Sequence, residues 1–174
     1  YDDTANAQWV VDNSGQTVGL NGLAQNGGSR TAAGGITNDP SLSATFTDTQ
    51  AGGLPQYIWN DVIAPGPTVY SVETWFRTTS TTGGALANYG SSNGRPRSDT
   101  GADRVSGTVD RVVYIENGTG FLRFGVRAGF GTTTLRSLAA VNNGQWHHVV
   151  GTQGPGGMRL YIDGVLQSQN ATTG

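Results

Sequence analysis

The chain has 174 residues, a formal net charge of −2, only 13% charged residues and 28 glycines. That length suits one domain with a sizeable core, and the Gly-, Ser- and Thr-rich composition points to strands and turns rather than helices. So weak a charge offers no electrostatic basis for binding nucleic acid or inserting at an anionic membrane. Cysteine is absent, which excludes a disulfide framework, a thiolate metal site and a Cys nucleophile. All 10 basic residues are Arg, so lysine chemistry is excluded as well. No transmembrane run or signal peptide is visible, and Tyr1-Asp2-Asp3 does not read as a native start. The expectation is a single domain, 1–174, cut from a larger multidomain protein.

In chain order, residues 8–12 make a short strand candidate ended by Asn13-Ser14-Gly15. Residues 21–35 are rich in Gly, Asn, Ser and Ala and read as loop. Short strands follow at 43–46 and 57–59, then a stiff turn at Ala64-Pro65-Gly66-Pro67, where proline bars ladder donation. In the strand at 69–78, Tyr70, Val72, Thr74 and Phe76 face one way and Ser71, Glu73, Trp75 and Arg77 the other. Residues 85–89 form another strand. A polar loop over 91–109 is long enough to be functional or disordered. Residues 110–116 and 121–128 read as a hairpin joined by Asn117-Gly118-Thr119-Gly120, with Leu122, Phe124 and Val126 inward and Arg123 and Arg127 outward. A strand at 133–139 leads into the most informative stretch, which starts at Asn143. There Trp146, His148 and Val150 share one face, and Met158, Leu160 and Ile162 share a face of the next strand. Residues 153–157 are a loop, and Asp163-Gly164 is a type I′ hairpin turn. No helical pattern occurs. The regular strand–turn spacing predicts an all-β, two-sheet antiparallel sandwich or jelly roll.

The run Gly144-Gln145-Trp146-His147-His148-Val149, followed by Leu160-Tyr161-Ile162-Asp163-Gly164, resembles the G-x-W-H-H-V … L-Y-x-D-G hallmark of laminin G-like domains. Upstream, Ser71-Val72-Glu73-Thr74-Trp75-Phe76-Arg77-Thr78 resembles the S-V-E-x-W-F-R-T strand of that family, and the segments at 83–86, 111–115 and 120–124 follow its order. The likeness spans roughly residues 68–168. It implies the jelly-roll sandwich of the concanavalin A-like lectin and glucanase superfamily. It also implies a secreted or cell-surface setting, bacterial here, and a non-catalytic recognition or adhesion role. In such sandwiches the D-G hairpin is followed by an aromatic-rich strand, whereas this sequence ends in Gln169-Asn170-Ala171-Thr172-Thr173-Gly174. The expectation is a sandwich lacking its final strand, with an open edge that a partner chain or C-terminal fragment completes.

For catalysis, glycosidases need paired carboxylates about 5–10 Å apart. The glutamates are Glu73 and Glu116, and neither has an acidic residue two or four positions away, so the E-x-D-x-x-E pattern of the superfamily's glucanases is missing. Adjacent His147 and His148 point to opposite faces, which does not suit a Ser-His-Asp arrangement. His148 is expected to be a hydrogen-bonded core histidine and His147 to face a ligand surface or solvent. Some laminin G-like domains bind calcium at the sandwich rim, and Asp99, Asp103 and Asp110 in or beside the long loop are the candidate ligands. The competing reading is a solvated polar loop. For glycan binding the candidates are Glu73, Trp75 and Arg77 on one strand face, with Arg123, Arg127, His147 and Tyr161 on matching faces of neighbours. The competing reading makes Trp75 core and Glu73–Arg77 a surface ion pair worth little. The leading expectation is a non-catalytic module binding a glycan or protein, assisted by calcium. The second is an assembly module that recruits a partner chain by strand addition, and the third a glycoside hydrolase.

Overall fold

The computed structural model describes residues 10–11, 22–25, 29–47, 56–59, 66–90, 109–128 and 131–173. The expected polar loop at 91–109, with Asp99 and Asp103, lies almost wholly outside the described residues. Contacts group the described residues into two compact units, one before residue 65 and one from residue 66 onward.

In the first unit, β1 (Val10–Val11), β2 (Gly22–Gln25), β3 (Ser29–Ala33), β4 (Leu42–Thr45) and β5 (Tyr57–Trp59) form two small antiparallel sheets, β1-β2-β5 and β3-β4. The stretch expected to be loop at 21–35 therefore carries two strands. They are held by backbone pairing, Ala24 opposite Ile58 and Ala32 opposite Ser43, rather than by an apolar alternation. Small residues leave little side-chain pattern to read, while their amides pair as well as any others. Between β3 and β4 the Ser41 N–H donates to Asp39 Oδ1 at 2.8 Å, a local turn bond typical of Asp.

The second unit holds β6 (Tyr70–Arg77), β7 (Gly84–Gly90), β8 (Val109–Ile115), β9 (Phe121–Ala128), β10 (Gly131–Ala140), β11 (Trp146–Gly154), β12 (Gly157–Ile162) and β13 (Val165–Asn170). They make two four-stranded antiparallel sheets, β10-β9-β8-β7 and β13-β12-β11-β6. No helix occurs among the described residues. The inner faces share one core: Phe76, Val113, Ile115, Leu122, Phe124, Val126, Leu135, Val141, Val149, Met158, Leu160 and Ile162. Each such side chain stabilises the fold by roughly 1.5–3 kcal/mol relative to exposure. Alternation predicted the inward row of β9, and grouped correctly the faces of β6 and β12 that turn out to point inward. Phe124 reaches the opposite sheet because β11 carries Gly151 there; a Cβ at that position would lie 2.9 Å from the Phe124 ring.

The turns follow from residue chemistry. Asp163 and Gly164 have φ of 53° and 78°, as the expected type I′ turn between β12 and β13 requires. The β11–β12 connection is tighter than the loop expected at 153–157, since Gly154 pairs with Gly157 across Pro155-Gly156. On β10 the pairing to β9 slips between Arg136 and Ala140. Buried Ser137 sits in the slip. Its hydroxyl accepts the Leu122 N–H at 3.0 Å and donates to the Ala139 carbonyl at 2.6 Å, so the irregularity leaves neither group unpaired.

Candidate functional site

The outer face of the β13-β12-β11-β6 sheet carries a continuous array of polar and aromatic side chains. Register builds it row by row. Trp146 lies opposite Arg77, His148 opposite Trp75, Val150 opposite Glu73 and Tyr161, and Thr152 opposite Ser71 and Arg159. Rows two residues apart on a strand are about 7 Å apart, so the array runs about 20 Å from end to end.

The contacts along it are specific. The Arg77 guanidinium lies 5.3 Å from the centroid of the Trp146 ring, a cation–π contact worth about 0.5–1 kcal/mol at an exposed site. Trp75 and His148 stack with centroids 4.8 Å apart and planes at 26°. His148 Nε2 is 2.8 Å from Glu73 Oε1, so the carboxylate steers the imidazole. Trp75 is 42% exposed and the Glu73 side chain 64%. Trp75 is therefore not core, and Glu73 pairs with His148 rather than with Arg77.

This geometry corrects the histidine assignment. Val149, Gly151 and Gln153 are the buried positions of β11, which puts His148 on the outer face and His147 on the inner side. His147 is only 14% exposed at its side chain, beside Phe76 at 5.8 Å. Its Nδ1 is 2.8 Å from Asp163 Oδ2 and its Nε2 3.1 Å from Asn143 Oδ1. The second Asp163 oxygen accepts the His148 backbone N–H at 2.8 Å. Burial alone would raise the Asp163 pKa. The His148 N–H and the His147 imidazole outweigh it and hold the carboxyl below its usual range. His147 thus clasps the β12–β13 turn to β11 and joins no ligand surface.

Arg123 and Arg127 also leave the predicted cluster. Both sit on β9, in the opposite sheet, and face outward there. Sheets pack about 10 Å apart, so the sandwich itself separates them from Trp75. Arg123 is held by Glu116 through Nη2 at 2.8 Å and Nε at 3.1 Å. The Thr119 hydroxyl first, and then Arg123, keep the Glu116 carboxyl below its usual range against the cost of burial. Of the predicted ligand residues, Glu73, Trp75, Arg77 and Tyr161 come together on one face. Trp146 and His148, grouped on one face in the sequence but with His148 expected in the core, join them, as do Ser71, Thr152 and Arg159. The signal for Arg159 was present: Met158, Leu160 and Ile162 pointing inward forces Arg159 and Tyr161 outward.

Of the predicted calcium ligands, only Asp110 lies within the described residues. It is bonded to Arg111 Nη1, and Arg111 Nη2 donates to the Pro67 carbonyl at 2.6 Å. No group of three or more metal-ligating side chains occurs among the described residues. At the far end of the outer face, beside the β11–β12 turn, an open cleft of about 360 Å³ is walled by Tyr70, Ser71, Thr152, Gln153, Pro155 and Arg159.

No curated protein matches this chain. Residues 52–174, which include both four-stranded sheets, match the Laminin_G_3 family, described as the concanavalin A-like lectin/glucanases superfamily. Such a span covers well over half of the sequence, and the sandwich agrees with it: the chain belongs to the laminin G-like family of the concanavalin A-like superfamily.

Proposed function

We propose that this protein is a non-catalytic, extracellular recognition module that binds a glycan on the outer face of the β13-β12-β11-β6 sheet. The observation that carries the reading is the exposed Trp75–His148 stack, steered by Glu73 and flanked by Trp146 and Tyr161. Aromatic faces take the C–H faces of sugar rings, and Glu73 and Arg77 are placed to bond hydroxyls. Flat ring surfaces on a rigid strand pair are already ordered before binding, so little conformational entropy is lost on contact. Trp and Tyr also supply most of the energy at protein surfaces that bind other macromolecules. A non-catalytic role is supported by the sequence, in which neither Glu73 nor Glu116 has an acidic residue two or four positions away to complete a glycosidase pair. An extracellular setting is typical of laminin G-like domains.

The test is a glycan array followed by calorimetric titration of the best hit, with and without chelator. Trp75→Ala should weaken binding roughly thirty-fold, the ~2 kcal/mol of a hot-spot Trp, with an unchanged melting temperature. Collapse of the fold on this substitution, or undiminished binding, sinks the reading. Loss of binding with chelator brings calcium into the proposal, with Asp99, Asp103 and Asp110 as the ligands to substitute next; undiminished binding removes calcium from it. A second reading, assembly with a partner chain, is favoured by exposed Leu138, Val165 and Leu166 on β10 and β13. It takes precedence if the array is blank and the folded protein self-associates with rising concentration.

A further inference from the structure

The aromatic array does not end in an apolar rim. Its last row is Ser71, Thr152 and Arg159, and this row opens into the 360 Å³ cleft, within the roughly 300–1,000 Å³ range of small-ligand pockets. The Arg159 guanidinium lies beside the Pro155-Gly156 turn, its nitrogens 3.4 Å from where a Gly156 Cβ would be. Each described carboxylate of this unit already has a partner: Glu73 has His148, Asp110 has Arg111, Glu116 has Arg123 and Asp163 has His147. Arg159 makes no ion pair with any of them. A planar, always-charged fork at the mouth of a cleft, flanked by two hydroxyls, matches a carboxylate.

Resting on the glycan reading, we infer that the cleft is a carboxylate subsite and that the ligand is a glycan containing uronic acid. Sugar rings would lie along Trp75, His148 and Tyr161, and one ring carboxylate would pair with Arg159. The aromatic row favours a glycan over an acidic protein segment, because it gives ring faces a platform along the whole approach to the arginine.

The experiment is calorimetric titration with oligogalacturonate and with its fully methyl-esterified counterpart, which differ in the carboxylate. Wild type should bind the acid form at least about tenfold tighter, as hydrogen bonds to charged groups imply. Arg159→Gln should erase that preference, and Arg159→Lys should restore part of it. Arg127→Gln, on the opposite sheet, should leave the preference intact, and Trp75→Ala should weaken both forms alike. If both forms bind equally and Arg159→Gln changes nothing, the subsite is overturned while the glycan-binding face stands. An Arg127→Gln loss as large as that of Arg159→Gln reduces the effect to general charge attraction and also overturns it. Poly-aspartate binding tighter than oligogalacturonate overturns it in favour of an acidic protein. If neither sugar binds, the subsite falls together with the face. Should Arg159→Gln fail to fold, Arg159→Lys carries the test, since it keeps the charge and removes the fork.

Discussion

His147 and His148 are neighbours in the chain and do opposite work, and the sequence does not say which does which. Two identical side chains carry no difference in polarity, so the parity of β11 must come from its other members. Val149 is buried, and Gly151 accepts the Phe124 ring, which settles the inward row. Reading Trp146 as an inward anchor reverses the strand, and one step of parity exchanges core for surface. The clasp built on His147 makes a pH-dependent prediction through Asp163. Its folded pKa lies below its ordinary value of 3.8. Its contribution is therefore fully present above that value and is lost as pH falls through the folded pKa. Asp163→Asn keeps the turn, because Asn tolerates positive φ, but cannot ionise. The substitution should cost about 1 kcal/mol at neutral pH, no more, because half the side chain is in solvent. Thermal melts at pH 7 and at about pH 3 check it. The gap between wild type and variant should close in acid; a gap of equal size at both pH values would remove Asp163 ionisation from the account.

Strands with a bulky apolar row were legible: β6, β9 and β12 alternate, and Asp163-Gly164 marks its turn outright. The strands β2 and β3 were not, since Gly, Ala and Ser form ladder bonds without leaving a pattern of side chains. Nor was the irregularity in β10 legible. In Leu135-Arg136-Ser137-Leu138 the polarity does not alternate, so nothing assigns Ser137 inward and Leu138 outward, and Ser137 reads as an unremarkable small residue. In the fold that serine is 4% exposed and stands in for a missing ladder partner of Leu122. Ser137→Ala is nearly isosteric, so packing should survive while the Leu122 N–H loses its acceptor. An unsatisfied buried donor costs about 1–3 kcal/mol. Denaturant melts should show that loss with an unchanged m-value, and hydrogen exchange should quicken at the Leu122 amide. A variant as stable as wild type would mean that β9 and β10 re-pair without the slip.

The whole sandwich explains why the predicted ligand cluster came apart. Membership of a sheet is set by pairing far along the chain: β6 pairs with β11, Trp75 opposite His148, while β7 pairs with β8. The chain therefore changes sheets between β6 and β7 and again between β10 and β11. Arg123 and Trp75 share an outward orientation yet belong to opposite surfaces, a fact that alternation within one strand cannot carry. The same topology bears on which part of the chain folds. Among the described residues, the buried core from Phe76 to Ile162 lies in the second unit, closed between two four-stranded sheets. Three or more strands with a shared apolar face suffice for independent stability, and about 100 residues is an ordinary domain size. A chain of residues 66–174 should therefore unfold cooperatively on heating and keep the near-ultraviolet circular dichroism that its ordered Trp75 and Trp146 produce. It should also retain the glycan affinity of the full chain, since every residue of the proposed face lies within it. A broad melt with exposed apolar surface, of the kind a molten globule gives, would instead make the preceding residues part of the cooperative unit.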